Sequence, residues 1–269
     1  DALTEKLGEG NVKFDEQNAS GDSANCTTIA NNFVSQGVDL IMANGTTALQ
    51  AAATGTSTIP ILGTSITEYG VALGIDGFTG TTGYNVSGTS DLAPLDQQAE
   101  MLHTWFPDAQ TVGLLYCSAE PNSQYQVDTV QGYLEDLGYT CTQYSFSDSN
   151  DLSAVASSAC TASDVLYVPT DNTAANNAEL IGNISLDTGT PIIAGEEGIC
   201  KGCGVATLTI SYYDIGYKTG EMAYDILVNG ADPATMPIEY APQFTPKYNP
   251  TMCEALGLTP PDGYEAIAE

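Results

Sequence analysis

Short apolar runs alternate with helix-like segments along this 269-residue chain, and this alternation limits the folds open to it. The runs DLIMANG, IPILGTS, TVGLLYC, VLYVP and PIIAG are typical of buried strands. Amphipathic stretches such as CTTIANNFVSQG lie between the runs and are typical of helices. Buried parallel strands need helices on both faces of their sheet. The pattern therefore predicts an α/β protein made of two doubly wound parallel-sheet lobes.

The charge balance excludes several classes of partner. There are 34 acidic residues against 5 basic ones, for a formal net charge of −29. Nucleic acids and anionic membrane surfaces would be repelled by such a chain, so neither is expected as a partner. No apolar run is long enough to span a bilayer and no charged-then-apolar leader begins the sequence, which predicts a soluble or processed form.

The cysteines and histidines argue against a metal or a cofactor. Seven cysteines leave at least one thiol unpaired in a monomer, although a Cys141–Cys160 bridge is possible. Cys200 and Cys203 form a single CKGC motif, and His103 is the only histidine. A zinc site normally needs four such ligands. We therefore interpret CKGC as a local disulfide or as two loop thiols, and we expect no metal and no cofactor.

Candidate ligand contacts follow the first two strands. In open α/β folds ligands bind at the carboxyl ends of strands, where helix amino termini supply N–H groups for anions. The residues in these positions are Asn44, Gly45, Thr46, Thr47, Thr64, Ser65 and Thr67. Threonine and serine at such places also cap helices, so both interpretations stay open, with Thr46 or Thr47 expected to open the helix after DLIMANG.

Acidic residues follow two later strands. VLYVP leads into Thr170, Asp171 and Asn172, and PIIAG leads into Glu196 and Glu197. A carboxylate at a strand end can bind an ammonium group, and Asn172 would add a neutral hydrogen bond. The alternative is that Asp171 caps the following helix and that the two glutamates are solvated.

A further loop follows TVGLLYC, in the sequence CSAEPNS. Ser118, Glu120, Asn122 and Ser123 lie there and are expected to face the ligand, with Ser118, Asn122 and Ser123 as the candidate contacts. The alternative is a turn with Pro121 at its corner, followed by a helix cap.

Several ordered motifs resemble one family. NVSGTSDLAPLDQQAEMLHTWFP, VLYVPTDNT, PIIAGEEG and YYDIGYKTGEMAYDIL are similar to segments of the solute-binding proteins of ABC transporters, in the group associated with tryptophan and other aromatic amino acids. The resemblance extends from about Asn11 to about Gly257. It implies a type I periplasmic-binding-protein fold with two lobes and a hinge. The first lobe would comprise residues 1–90 with 211–236, and the second 91–210 with 237–269.

The resemblance also implies a function. Such a protein captures an aromatic amino acid such as tryptophan, tyrosine or phenylalanine between its lobes by hinge closure and delivers it to an ABC permease, without catalysis. We expect a monomer outside the cytoplasm, either periplasmic or anchored as a lipoprotein.

The start of the chain departs from the family pattern. Relatives begin with a central strand and a helix before the position of DALTEKLGEGNVKF, whereas this sequence starts within what looks like the end of that helix. The next expected strand is Asn11–Ala19.

Two other functions stay open. Asp171, Glu196 and Glu197 could serve as the paired carboxylates of a carbohydrate-active enzyme. The same two-lobe fold could also be the ligand-sensing ectodomain of a receptor.

Overall fold

The computed structural model describes residues 1–268 and divides into two compact units. Unit 1 comprises Asp1–Leu92 with Ser211–Pro242, and unit 2 comprises Ala93–Ile210 with the chain from Gln243 onward. Helices and strands are numbered along the whole chain. Among residues 1–268 no helix has both the length and the apolar character needed to cross a membrane.

Unit 1 contains a parallel sheet of four strands in the order β1-β2-β3-β9. Its strands are β1 (Ile41–Asn44), β2 (Ile61–Ile66), β3 (Val86–Ser90) and β9 (Glu239–Tyr240). Its helices are α1 (Ala2–Leu7), α2 (Ser23–Gln36), α3 (Thr46–Gly55), α4 (Tyr69–Leu73) and α11 (Tyr212–Leu227).

Unit 2 contains a sheet of seven strands in the order β11-β10-β8-β7-β6-β4-β5. Its strands are β4 (Thr111–Cys117), β5 (Thr140–Phe146), β6 (Val165–Val168), β7 (Ile192–Ala194), β8 (Ala206–Thr209), β10 (Thr245–Tyr248) and β11 (Glu265–Ala266). Its helices are α5 (Leu95–Trp105), α6 (Pro121–Asp136), α7 (Ser149–Ala162), α8 (Asn172–Asn176), α9 (Ala178–Thr188), α10 (Glu197–Gly202) and α12 (Pro250–Leu256). The strands from β8 to β5 are parallel, and β10 joins β8 in the antiparallel direction.

The predicted α/β fold with parallel sheets is confirmed, and β6 shows why the apolar runs are continuous. Val165 and Tyr167 lie in one hydrophobic cluster of unit 2, whereas Leu166 and Val168 lie in another. All four side chains are fully buried. Successive side chains of a strand point to opposite faces, so a sheet covered on both faces needs apolar residues at every position.

The predicted strand at Asn11–Ala19 is wrong. These residues have no regular secondary structure, and Phe14 is 54% exposed. Strand β1 lies at the edge of the unit 1 sheet, and Met42 within it is 45% exposed. Alternating residues form a strand only when a neighbouring strand accepts and donates their backbone hydrogen bonds, and within residues 1–268 this segment has no such neighbour.

Two further expectations need correction. Residues 237–242 were assigned to the second lobe, but Glu239 and Tyr240 form β9, which pairs with Thr89 and Ser90 in unit 1. The CKGC thiols are not bridged, and only Cys203, in the turn after α10, lies outside a helix. All seven cysteines are free, and Cys200 lies within α10, with its side chain fully buried.

Gly63 and Gly88 leave room for the Tyr69 side chain in the core of unit 1. This side chain is 1% exposed, and its hydroxyl donates a hydrogen bond of 3.1 Å to the carbonyl oxygen of Thr89. A Cβ at Gly88 would collide with the Gly63 carbonyl oxygen and with the Tyr69 hydroxyl. Gly88 also has a φ of 144°, which other residues rarely adopt.

We expect Gly88→Ala to lower the free energy of unfolding by about 2 kcal/mol or more, because the added methyl group meets rigid backbone as well as an unfavourable φ. Urea denaturation followed by circular dichroism measures this change. Gly216→Ala is the matched control, because a Cβ there meets nothing within 4 Å and the residue lies within α11 of the same unit. The control should leave stability unchanged or raise it by up to about 1 kcal/mol. Equal effects of the two substitutions would contradict the packing argument.

Candidate functional site

The turn from β1 to α3 leaves a helix amino terminus without a side-chain cap. The N-cap residue is Gly45, with a φ of 89°, and no side chain accepts a hydrogen bond there. Its backbone N–H donates to the carbonyl oxygen of Thr64 at 3.0 Å, which places the start of α3 at the end of β2. The helix begins at Thr46, which is one of the two expected positions, but neither Thr46 nor Thr47 caps it, because Gly45 occupies the N-cap position. The first N–H groups of α3 therefore remain suited to an anion.

The end of β2 carries a strained residue within a hydrogen-bonded network. Ser65 has a φ of 54°, and the register between β2 and β3 shifts between Gly63 and Ile66. The Thr89 hydroxyl donates to the Thr64 hydroxyl at 3.3 Å, and Ser90 Oγ donates to the carbonyl oxygen of Thr67 at 2.9 Å. Strained backbone of this kind is concentrated at functional sites.

In unit 2 the carboxylate of Asp171 joins two strand ends to a helix. Oδ2 accepts a hydrogen bond from the backbone N–H of Cys117 at the end of β4, and Oδ1 accepts one from the N–H of Ala174 in α8, both at 2.7 Å. Asp171 is 1% exposed and is the N-cap of α8. The capping role that the sequence left open is therefore present.

Glu120 holds the other side of the same turn. Its Oε2 accepts from the backbone N–H of Asn172 at 3.0 Å and from the Asn172 side-chain amide at 2.8 Å. Its Oε1 accepts from the N–H and the hydroxyl of Thr173, both at 2.8 Å. Glu120 was expected in the loop that faces the ligand but was not among the candidate contacts, and the structure gives it the structural role of holding the backbone at Asn172 and Thr173.

Two buried amides fix the end of β6 against α6. Gln126 donates to the carbonyl oxygen of Thr170 at 3.0 Å and accepts from the Thr170 N–H at 3.1 Å. Asn122 also donates to that carbonyl, at 3.2 Å. Gln126 is fully buried next to Val127 and was not predicted, although a glutamine one helical turn after Asn122, beside an apolar position, would have indicated a polar contact.

Burial and, to a smaller extent, the nearby Glu120 carboxylate together raise the pKa of Asp171 to about 6, against the lowering effect of the two backbone N–H groups. A carboxyl group that titrates this close to neutrality inside a polar strand-end cluster is typical of a functional site.

Glu196 and Glu197, which follow β7, have different partners. Glu196 caps α10, accepting from the backbone N–H groups of Gly198 and Ile199, and burial raises its pKa. Glu197 forms an ion pair of 2.8 Å with Lys247. Lys247 therefore neutralises one of the two candidates, and the expectation that both glutamates are merely solvated is wrong.

The structure thus brings together a subset of the predicted contacts in each unit. In unit 2, Asn122 and Asn172 both donate to Glu120 Oε2, and Asn122 also donates to the carbonyl oxygen of Thr170. The Thr170 hydroxyl donates to the carbonyl oxygen of Gly195, as does the amide of Gln98, which was not predicted. Ser123 is fully buried beside Asn122, whereas Ser118 is exposed and donates to the carbonyl oxygen of Phe146 at 3.2 Å. No group of three or more potential metal ligands occurs within residues 1–268.

The fold and these strand-end sites define a type I periplasmic-binding-protein-like molecule. Residues 1–268 match the family described as ABC transporter substrate binding protein. The chain belongs to this family.

Three similar proteins are known in more detail. A tyrosine-binding protein of Clostridioides difficile (strain R20291) is 37% identical over 217 residues, which cover 81% of this chain and 63% of that relative's length. A Streptococcus pneumoniae ABC domain in complex with L-Trp superposes with a TM-score of 0.93 at 28% identity, covering 99% of this chain and 92% of that one. A ligand-free, open substrate-binding protein with adhesive properties from Clostridium difficile has a TM-score of 0.74 at 36% identity, covering 98% and 91%.

We expect the Asp171 carboxyl group to titrate near pH 6 in the free protein, as measured by ¹³C NMR of its side-chain carbon. Glu120→Gln should lower this midpoint, because it removes the negative charge that raises the pKa. Asp187→Asn is the control, because Asp187 is an exposed acid at the far end of α9 and should have no effect. A midpoint near the ordinary value of about 4 would contradict the effect of burial.

Proposed function

We propose that this protein is an extracytoplasmic substrate-binding protein that captures an aromatic amino acid and delivers it to an ABC permease. Membership of the family supports the general role. The names of two relatives, one tyrosine-binding and one in complex with L-Trp, support the aromatic ligand. The chain spans 63% of the length of the curated relative, so substrate and partner are part of the proposal.

The observation that carries the proposal is the uncapped amino terminus of α3 at Gly45. The four first N–H groups of a helix lack partners within the helix, and the helix dipole adds a partial positive charge there. A ligand carboxylate satisfies these groups, and Ser65 and Thr64 at the neighbouring strand end add hydroxyl groups. We propose that Asn44, Thr46, Thr47 and Thr67 complete this surface.

The acidic strand ends of unit 2 provide the complementary chemistry. Asp171 and Glu120 are acceptor-only groups when ionised, and each carboxylate oxygen has more than one acceptor position. We propose that Asp171 binds the ammonium group of the ligand, with Thr170, Asn172, Asn122, Ser123 and Ser118 supplying neutral contacts. Glu196 is a further acceptor, and Glu197 acts with Lys247.

The remaining family properties belong to the same proposal. They are capture between the lobes by hinge closure, function as a monomer, and a place outside the cytoplasm with or without a lipid anchor. Catalysis is not part of it, because the carboxylates that a glycosidase would need accept structural hydrogen bonds in the case of Asp171 and Glu196, and Glu197 is in an ion pair.

The proposal is tested by isothermal titration calorimetry with tyrosine, tryptophan and phenylalanine against leucine and glucose. We expect saturable 1:1 binding of at least one aromatic amino acid without turnover. Two analogues of tyrosine separate the charged groups, since 3-(4-hydroxyphenyl)propionate lacks the ammonium and tyramine lacks the carboxylate. Each should bind this site at least tenfold more weakly than tyrosine, a loss of about 1.4 kcal/mol. Binding of glucose alone would overturn the ligand assignment.

Asp171→Ala should weaken binding of the aromatic amino acid by about 2 kcal/mol or more, because the ligand ammonium would be left unpaired. Calorimetry measures the affinity, and thermal unfolding measures the stability lost with the cap.

Asp164→Ala is the matched control, because Asp164 lies directly before β6 and accepts hydrogen bonds from Gln110 and Thr111 at the opposite end of the strand. Both substitutions should lower stability, but only Asp171→Ala should lower affinity. Equal affinities in the two variants would restrict Asp171 to its capping role.

A further inference from the structure

We propose that a pocket of unit 1 binds an organic ammonium ion with an aromatic body and no carboxylate, such as an arylalkylamine. The pocket lies between α11 and the edge strand β9 and has a volume of about 340 Å³. This volume is within the range of small-molecule sites, which begins at about 300 Å³. The proposal does not depend on the identity of the amino acid bound at the strand ends.

The walls of the pocket favour an aromatic body. Ile215 and Pro242 provide aliphatic surface, and the rings of Tyr217 and Tyr240 lie on α11 and β9. Tyr240 is 53% exposed. Flat aromatic ligands pack well against such rings, and an ammonium group is attracted to their faces.

The charges of the pocket favour a cation. Asp214, Glu221 and Glu239 line it together with a single lysine, Lys218. Three carboxylates against one ammonium leave a formal charge of −2, in a chain whose net charge is −29. A ligand carboxylate would be repelled here, which distinguishes this pocket from a site for a free amino acid.

Side chains of α11 already contact two lysine ammonium groups, through an aromatic ring and through a carboxylate. Lys6 Nζ lies 5.2 Å from the centroid of the Tyr224 ring and 3.8 Å from Glu221 Oε1. Lys218 Nζ lies 3.7 Å from Glu221 Oε2. Because Glu221 is already paired with these two lysines, we assign Asp214 and Glu239 as the carboxylates that bind the ammonium group of the ligand.

Residues that line the pocket are close in sequence to all three points at which the chain passes from one unit to the other. Unit 1 consists of two segments, which end at Leu92 and run from Ser211 to Pro242. Of the residues that line the pocket, Thr89 lies three residues before Leu92, Asp214 lies three residues after Ser211, and Pro242 ends the second segment. Thr89 also donates to the hydroxyl of Thr64 at 3.3 Å, which is one of the proposed ligand contacts.

The test is a titration with tyramine, measured by calorimetry on the intact protein and its variants. We expect saturable 1:1 binding that weakens at least about threefold in Glu239→Gln, which removes one carboxylate partner. Tyr240→Ala should weaken it similarly, whereas Tyr240→Phe should stay within about twofold because the ring is kept. Lys218→Met should strengthen binding, because it removes the cation that competes for the carboxylates.

Three controls separate this pocket from the strand-end site and from a folding defect. Asp187→Asn removes a distant exposed charge and should not change tyramine binding. Glu239→Gln should leave the affinity for tyrosine unaltered. Thermal unfolding of Glu239→Gln and Tyr240→Phe should match the unsubstituted protein. The proposal is overturned if tyramine fails to saturate, or if it binds Glu239→Gln and Tyr240→Ala as tightly as it binds the unsubstituted protein. Either result overturns it whether or not an aromatic amino acid binds at the strand ends.

Discussion

The hydrogen bonds of the buried Asp171 carboxylate determine the geometry of the polar end of unit 2. One oxygen accepts from Cys117 at the end of β4 and the other from Ala174 in α8, so a single side chain ties together a strand, a turn and a helix. A carboxylate that is 1% exposed is tolerated there because its acceptors are used. Glu120 and Gln126 bind the adjacent backbone groups, which leaves the whole turn with little freedom to rearrange.

The polar groups at the strand ends differ in kind between the two units. Unit 1 uses a glycine, Gly45, whose lack of a side chain leaves the N–H groups of α3 available to an anion. Unit 2 uses carboxylates, which saturate the helix amino termini of α8 and α10 and give the surface a negative character. Backbone N–H groups at a helix amino terminus can bind a carboxylate without a basic side chain, and this chain has only five basic residues.

Much of the fold could be predicted from the sequence, and the exceptions have physical causes. The apolar runs at β4, β6 and β7 identified strands because both faces of that sheet are covered. Asn11–Ala19 has a strand-like composition but no neighbouring strand, and pairing is not a local property. The cap of α3 was expected at Thr46 or Thr47 because hydroxyl groups usually cap helices, but the left-handed backbone at Gly45 ends the strand one residue earlier. Gln126 was missed because its partner, Thr170, lies 44 residues away.

The sequence by itself determined the α/β rhythm, the acidic character and the positions at which strands end, because these depend on residue type and local periodicity. Only the tertiary structure decided which polar groups are buried and which partners they have. Asp171, Glu196 and Glu197 look alike in the sequence. Asp171 and Glu196 are helix caps whose pKa is raised by burial, to about 6 for Asp171, whereas Glu197 pairs with Lys247. Their difference arises from burial and from long-range contacts, since the energy of a charge depends on the dielectric and the charges around it.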